Sequence, residues 1–203
     1  MKLEKLKEKI IEKGLDYNSL TEPLGLDYST IVKEMKIISI DAETLSLRNE
    51  PFAVSFVIEE NNKIKTQTFR RTVAENEACD FVKENVIPNM TCPITHTDRK
   101  LFLFDIAQFW LENKENAITI AHCAAPVETE LFQLLYKEGL IGEFDGPFPL
   151  HEVASMLLIK NENPFSVDEY VKKHNLKIDH IGTTHDPEYD AVVALEVFKH
   201  LIS

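Results

Sequence analysis

The chain has 203 residues, of which 44% are hydrophobic and 28% charged, and its formal net charge at pH 7 is −12. This length is sufficient for one domain with a substantial core. The acidity argues against tight, nonspecific clamping of long nucleic acid, because that affinity comes from Lys and Arg displacing counterions. It is compatible with a site that binds divalent cations through carboxylates.

The apolar runs are far shorter than the ~20 residues that cross a bilayer, and the start of the chain lacks a signal-peptide apolar region. We therefore expect a cytoplasmic protein with no membrane partner. The cysteines are odd in number and have no close metal-ligand spacing, which predicts reduced thiols: Cys79, Cys92 and Cys123.

The opening segment, MKLEKLKEKIIEK, contains five lysines and three glutamates, a local charge of +2. Its apolar residues recur at the spacing of an amphipathic helix that ends at Gly14: Leu3, Leu6, Ile10 and Ile11. Such a helix usually packs on its own domain or on a partner. We interpret residues 1–34 as a helical extension and residues 35–203 as the main domain.

From Lys36 onward the sequence predicts β-strands followed by helices. The runs KIISIDAETLSL, PFAVSFVIEE and KIKTQTFRR are rich in β-branched and aromatic residues and predict three strands, with a hairpin at Asn61 and Asn62. Residues 117–121 predict a buried strand, and helices are predicted at 73–87, 99–114, 127–140, 151–160, 166–176 and 187–202. This order predicts a mixed α/β sheet with helices on both faces.

Two acids, Asp41 and Glu43, follow the apolar residues IISI of the first predicted strand. Residues two apart on a strand face the same side, so both carboxylates can reach shared cations. An uncompensated buried carboxylate would cost several kcal/mol. The pair therefore lies at an exposed strand end, or a cation compensates its charge.

The segment HDPEYDA near the C-terminus combines a helix start with candidate catalytic residues. Asp186 and Pro187 are a favourable N-cap and first helical residue, so His185 lies just outside the helix and Asp190 in its first turn. His185 can be a base or a surface residue. Asp190 can point into a cleft or interact only with the helix dipole.

A third acidic feature follows the predicted strand at 117–121. A turn of small residues leads to a helix whose first turn contains Glu128 and Glu130. Acids are common in the first turn for reasons of the helix dipole, so this feature gains weight only beside the other two.

Together these phrases resemble the DEDDh branch of the DEDD, RNase H-like 3′–5′ exonucleases. DAET matches the first motif of that family, and HDPEYDA matches its third, over residues 36–202. The second motif departs from the family pattern, because HCAAPVETE lacks the Asp that the family has at the start of the following helix. We assign the role of that Asp to Glu128, with Glu130 as the alternative. The resemblance implies an RNase H-like mixed sheet flanked by helices on both faces.

The resemblance also implies roles for individual residues. Two ions of Mg²⁺ or Mn²⁺ would be bound by carboxylates, and His185 would accept the proton of the attacking water. The implied metal ligands are Asp41, Glu43, Glu128 and Asp190. Three residues would lie against the 3′-terminal nucleotide, the last as a wedge against a base: Ala42, Thr44 and Leu45.

The implied activity is metal-dependent 3′–5′ exonuclease cleavage. Because no basic channel for long duplex is evident, we expect single-stranded DNA or RNA 3′ ends, or short oligonucleotides, as substrates. One alternative is a catalytically impaired module with the same fold that binds nucleic acid or protein. Another is a structural or interaction protein whose acids are only solvated surface. The sequence does not determine the oligomeric state.

Overall fold

The computed structural model describes residues 35–203, and the predicted helical extension at 1–34 lies outside the described residues. Short helical turns at Val82–Val86 and Ile87–Asn89 follow the third strand. The regular elements, in chain order, are β1 Lys36–Thr44, β2 Pro51–Glu60, β3 Lys63–Arg70, α1 Arg99–Asn113, β4 Ala117–Ala121, α2 Val127–Lys137, β5 Leu150–Glu152, α3 Val153–Ile159, α4 Val167–His174 and α5 Pro187–Leu201.

Within the described residues, the strands form one mixed five-stranded sheet in the order β3-β2-β1-β4-β5. β1 is central, antiparallel to β2 and parallel to β4. The β2–β3 hairpin turns at Asn61 and Asn62, whose φ angles are 53° and 58°. Asparagine tolerates this left-handed backbone better than most residues, which explains why the turn occurs at the predicted place.

Helices cover both faces of the sheet, as predicted. On one face, Ile38 and Ile40 of β1 share a core cluster with residues of α1 and α2, among them Trp110 and Leu135. On the other, Ile37 packs in a cluster with α3, α4 and α5. Because β1 is buried on both sides, its side chains are fixed alternately toward one helical layer or the other.

The predicted helix at 73–87 is wrong over its first half. Residues 73–79 form a turn in which the Glu77 carboxylate accepts the Ala74 N–H at 2.9 Å and bonds to Arg71 at 3.1 Å. The Cys79 N–H donates to the Leu45 carbonyl. These tertiary contacts replace the backbone bonds that a helix would make.

The predicted helix at 151–160 is also partly wrong, because its beginning is strand β5. Leu150–Glu152 pairs in parallel with Thr119–Ala121 of β4, and the helix starts only at Val153. A strand of three residues is too short to show a period of two in the sequence.

Across residues 35–203, the structure contains no helix with both the length and the apolar character needed to cross a membrane.

Candidate active site at the end of the central strand

Asp41 and Glu43 lie near the carboxyl end of β1, on the side of the sheet that α5 covers. Ile38, Ile40 and Ala42 belong to the opposite core cluster, so the alternating residues Asp41 and Glu43 face α5. β1 contacts α5 extensively. The predicted shared orientation of the two acids is therefore present in the structure.

Glu128 reaches the same region from the start of α2. The last pair between β1 and β4 is Ser39 with Ile120, so the β4 side of Ala42 has no strand partner. The Ala42 N–H donates instead to Glu128 Oε1 at 3.0 Å, and Glu128 is only 3% exposed. This bond ties the first turn of α2 to β1.

Glu130, the alternative for the second motif, lies elsewhere. Its carboxylate forms an ion pair with Arg48 at 3.0 Å on the surface. Of the two candidates, the structure brings only Glu128 beside Asp41, where its negative charge raises the pKa of the Asp41 carboxyl.

The start of α5 supplies Asp190 and His185. Asp186 is the N-cap, as predicted, and its carboxylate accepts the Glu188 N–H at 3.2 Å and the Thr91 N–H at 2.8 Å. His185 precedes it with a φ of 71°, a left-handed backbone that is uncommon for a non-glycine residue. The Asp190 carboxylate accepts the His185 N–H at 2.8 Å and so holds this conformation.

The His185 imidazole stands at the mouth of the cluster. Its Nδ1 lies 3.5 Å from Glu43 Oε1, and the ring packs edge-on against Phe81 at 6.3 Å between centroids. The contact with Glu43 raises the pKa of His185. Potential ligand atoms of Glu43, His185 and Asp190 all lie within 4.8 Å of one another.

Burial raises the pKa of every acid in this cluster. Burial, together with the negative charges of Asp190 and Glu128, raises the pKa of the Asp41 carboxyl well above its ordinary value. Burial raises the pKa of Glu128 to about 8, although the Ala42 N–H opposes the shift. It raises the pKa of Asp190 to about 7, with the negative charge of Glu43 acting in the same direction.

Within residues 35–203, no Lys or Arg comes within 4.0 Å of these four carboxylates. Their negative charge is thus concentrated and largely desolvated, which is unfavourable unless protons or cations balance it. Carboxylate oxygens are the donors that Mg²⁺ and Mn²⁺ prefer. The residues present therefore fit the predicted divalent cations.

The three predicted substrate residues are mostly buried. Ala42 and Thr44 have little exposed area, and Leu45 is 5% exposed in a core cluster with Phe52 and Val82. The Leu45 side chain is therefore not accessible in this structure, and its role as a wedge against a base stays a prediction. Leu47, in the loop that follows, is exposed.

Glu152 is a residue that sequence reasoning missed. Its two carboxylate oxygens accept the N–H groups of Cys123 and Ala124 at 2.8 and 2.7 Å, and Cys123 has a φ of 58°. Glu152 thereby shapes the loop that leads into α2 and Glu128. Its only local signal is an acid at the start of a helix, where the helix dipole generally favours negative charge.

Comparison with known proteins supports the fold but not the details of the site. No protein-family model and no curated protein matches the sequence. Among solved structures, the chain is similar to Exonuclease X in complex with 5′ overhanging duplex DNA, with a TM-score of 0.54. The identity is 12%, and the match covers 82% of this chain and 89% of that chain.

The fold is RNase H-like. This similarity confirms the predicted mixed sheet flanked by helices. An identity of 12% establishes only the fold. Roles for the individual acids must therefore be argued from the geometry described above.

Proposed function

We propose that the protein is a metal-dependent 3′–5′ exonuclease that hydrolyses phosphodiester bonds at nucleic-acid 3′ ends. One observation carries the proposal: carboxylates from three distant segments meet at the end of β1, and among residues 35–203 no Lys or Arg pairs with them. The RNase H-like fold shared with Exonuclease X supports it.

Asp41, Glu43, Glu128 and Asp190 would hold two divalent cations. Such ions lower the pKa of the attacking water and offset negative charge on the leaving 3′ oxygen. The protein's own contribution is to gather the acids before the ions arrive. The Ala42 N–H orients Glu128 through a bond of 3.0 Å, and the His185 N–H orients Asp190 through a bond of 2.8 Å.

His185 is the proposed general base. Its ring is partly exposed beside Glu43, at the open side of the cluster, so it can meet a water molecule on a bound phosphate. Glu43 orients the imidazole and stabilises the imidazolium that forms when the proton is accepted. Phe81 lies edge-on to the imidazole ring.

Single-stranded DNA or RNA 3′ ends, or short oligonucleotides, are the proposed substrates. Two basic residues of the β2–β3 hairpin region are already engaged within the protein: Arg71 is buried against Glu77, and Arg70 donates to the Cys92 carbonyl at 2.7 Å. Because fewer cations are then free to contact phosphates, we expect weak binding of long duplex. The roles of Ala42, Thr44 and Leu45 beside the terminal nucleotide remain predictions.

The test is release of mononucleotides from the 3′ ends of labelled single- and double-stranded DNA and RNA, with Mg²⁺ or Mn²⁺. Glu128→Gln removes one acid of the cluster, and Glu130→Gln is the matched control on the same helix. We expect cleavage by the wild type and by the control, and its loss in Glu128→Gln.

Nucleic-acid binding without turnover under all metal conditions would contradict the proposal. That result would favour a module with an exonuclease fold that binds nucleic acid but does not cleave it.

A further inference from the structure

His185 lies in a tight turn that precedes α5. The Asp186 N–H donates to the Thr183 carbonyl at 2.9 Å, so residues 183–186 form a four-residue turn with His185 in its third position. Glycine or asparagine usually adopts the φ of 71° found there, because a Cβ makes this backbone unfavourable. The orientation of His185 therefore depends on contacts that hold the turn from outside.

Asp186, the last residue of the turn, is held by Thr91. Asp186 is only 2% exposed, and a buried carboxylate needs hydrogen-bond donors around it. The Glu188 N–H of α5 donates to Oδ1 at 3.2 Å. Thr91 supplies two donors to Oδ2, its backbone N–H at 2.8 Å and its hydroxyl. Thr91 thus fixes the end of the turn from a segment 95 positions away in the sequence.

The segment that carries Thr91 is anchored beside the end of β1. Val82, Val86 and Met90 are buried in one core cluster with Leu45 and Phe52. Leu45 is the residue that follows β1, and Phe52 belongs to β2. This packing fixes the segment relative to the strand that carries the first two acids of the candidate site.

The same segment contacts the turn at two further points. The Phe81 ring lies edge-on to the His185 imidazole at 6.3 Å between centroids, and the Asn89 carbonyl accepts the Thr183 hydroxyl at 3.2 Å. These contacts involve a ring edge and a neutral carbonyl. Thr91 donates to a carboxylate, and hydrogen bonds to charged groups are the stronger kind. Of the three contacts, that of Thr91 should contribute most to the position of the turn.

We propose that Thr91 is a positioning residue for His185 and acts through the buried Asp186 carboxylate. The inference rests on the proposed function, in which His185 is the general base. Loss of the Thr91 hydroxyl leaves a buried carboxylate oxygen with one donor fewer, so the turn holds the imidazole less firmly beside Glu43.

Thr91→Val tests the assignment, because valine has the shape of threonine and lacks the hydroxyl. In 3′-end cleavage with Mg²⁺, we expect kcat to fall by ~10–10²-fold, since a misplacement of about 1 Å can cause such a loss. KM should be unchanged, because Thr91 is not a proposed substrate contact. Thr91→Ser retains the donor and should retain kcat. Thr66→Val, at an exposed threonine of β3, is the matched control and should behave as the wild type.

A structural measurement separates this inference from the proposed activity. In NMR spectra of the metal-free protein, cross-peaks between the Phe81 and His185 rings should be present in the wild type and in Thr91→Ser, and weakened in Thr91→Val. An inactive wild type would contradict the proposed function, and the cross-peaks would still decide whether Thr91 positions the His185 ring. Thr91→Ala also lacks the hydroxyl and replaces Thr91→Val if the valine variant does not fold.

A Thr91→Val protein with the kcat of the wild type would overturn the proposal. A lower kcat with unchanged ring cross-peaks would also overturn it, because the imidazole would not have moved. A higher KM with an unchanged kcat would assign Thr91 to substrate binding instead. Thr91→Ser with the same loss as Thr91→Val would show that the hydroxyl is not the group that acts.

Discussion

Where β1 and β4 end, buried carboxylates with raised pKa values gather around Asp41, and no Lys or Arg among the described residues pairs with them. Where the same two strands begin, Phe144 and Phe148 stand almost wholly in water. One end buries charge, and the other exposes apolar surface.

Neither arrangement stabilises the domain by itself, since desolvated charge and hydrated phenyl rings are both unfavourable. The contrast indicates which kind of partner each end accepts. Cations would balance the first end, and an apolar surface would cover the second. Variants at one end should therefore leave the behaviour of the other unchanged.

Asp41→Asn should have the largest effect on activity. The negative charges of Asp190, Glu128 and Glu43 all act on the Asp41 carboxyl, which places Asp41 among the other acids. The change therefore removes a ligand that the proposed ions would share. We expect release of mononucleotides to fall below detection, whereas Glu130→Gln retains it. Full activity of Asp41→Asn with Mn²⁺ would exclude the proposed site.

His185→Gln should reduce kcat by ~10²–10⁴-fold, the usual contribution of a general base. The ligand acids remain, so Mn²⁺ should still raise the melting temperature, because it binds only the native state. The pair of measurements separates loss of the base from loss of the metals. If His185→Gln loses both the activity and the stabilisation by Mn²⁺, His185 is a metal ligand instead of a base.

Glu152→Gln should weaken Mn²⁺ binding by ~10–100-fold, the range found for groups that position metal ligands. An amide offers one acceptor oxygen, so either the Cys123 or the Ala124 N–H loses its partner and the loop before Glu128 shifts. The affinity is measured as the Mn²⁺ dependence of the melting temperature. Glu143→Gln, at the opposite end of the sheet, is the control and should match the wild type.

Glu128→Gln should change the pH dependence of stability without metal. Glu128 has a pKa of about 8 in the folded protein and an ordinary value of 4.5. Between these values the folded state holds a proton that the unfolded state has lost, so stability falls as pH rises. Melting temperatures in EDTA from pH 5 to 8 should therefore fall less steeply for the variant. A steeper fall would contradict the raised pKa.

Much of the candidate site could be predicted because its signals are local. The alternation of Asp41 and Glu43 follows from strand geometry, and Asp186 with Pro187 predicts the start of α5 correctly. The choice between Glu128 and Glu130 could not be made from the sequence. Residues two apart on a helix point ~200° apart, so only one can face the cluster, and which one depends on how α2 sits over β1.

The missed features depend on distant contacts. The turn at 73–79 is held by Arg71 and by the Leu45 carbonyl. Glu152 contacts residues 28 and 29 positions away in the sequence. Such pairs leave no periodic pattern, and their residue types are common on any surface.

β1 connects the two ends of the molecule in nine residues, Lys36–Thr44. A single inserted residue after Ile37 would reverse the facing of every later side chain in the strand. Asp41 and Glu43 would then turn toward α1 and α2, and Ile38, Ile40 and Ala42 toward α5. The spacing between Lys36 and Asp41 is therefore one of the least adjustable lengths in this protein.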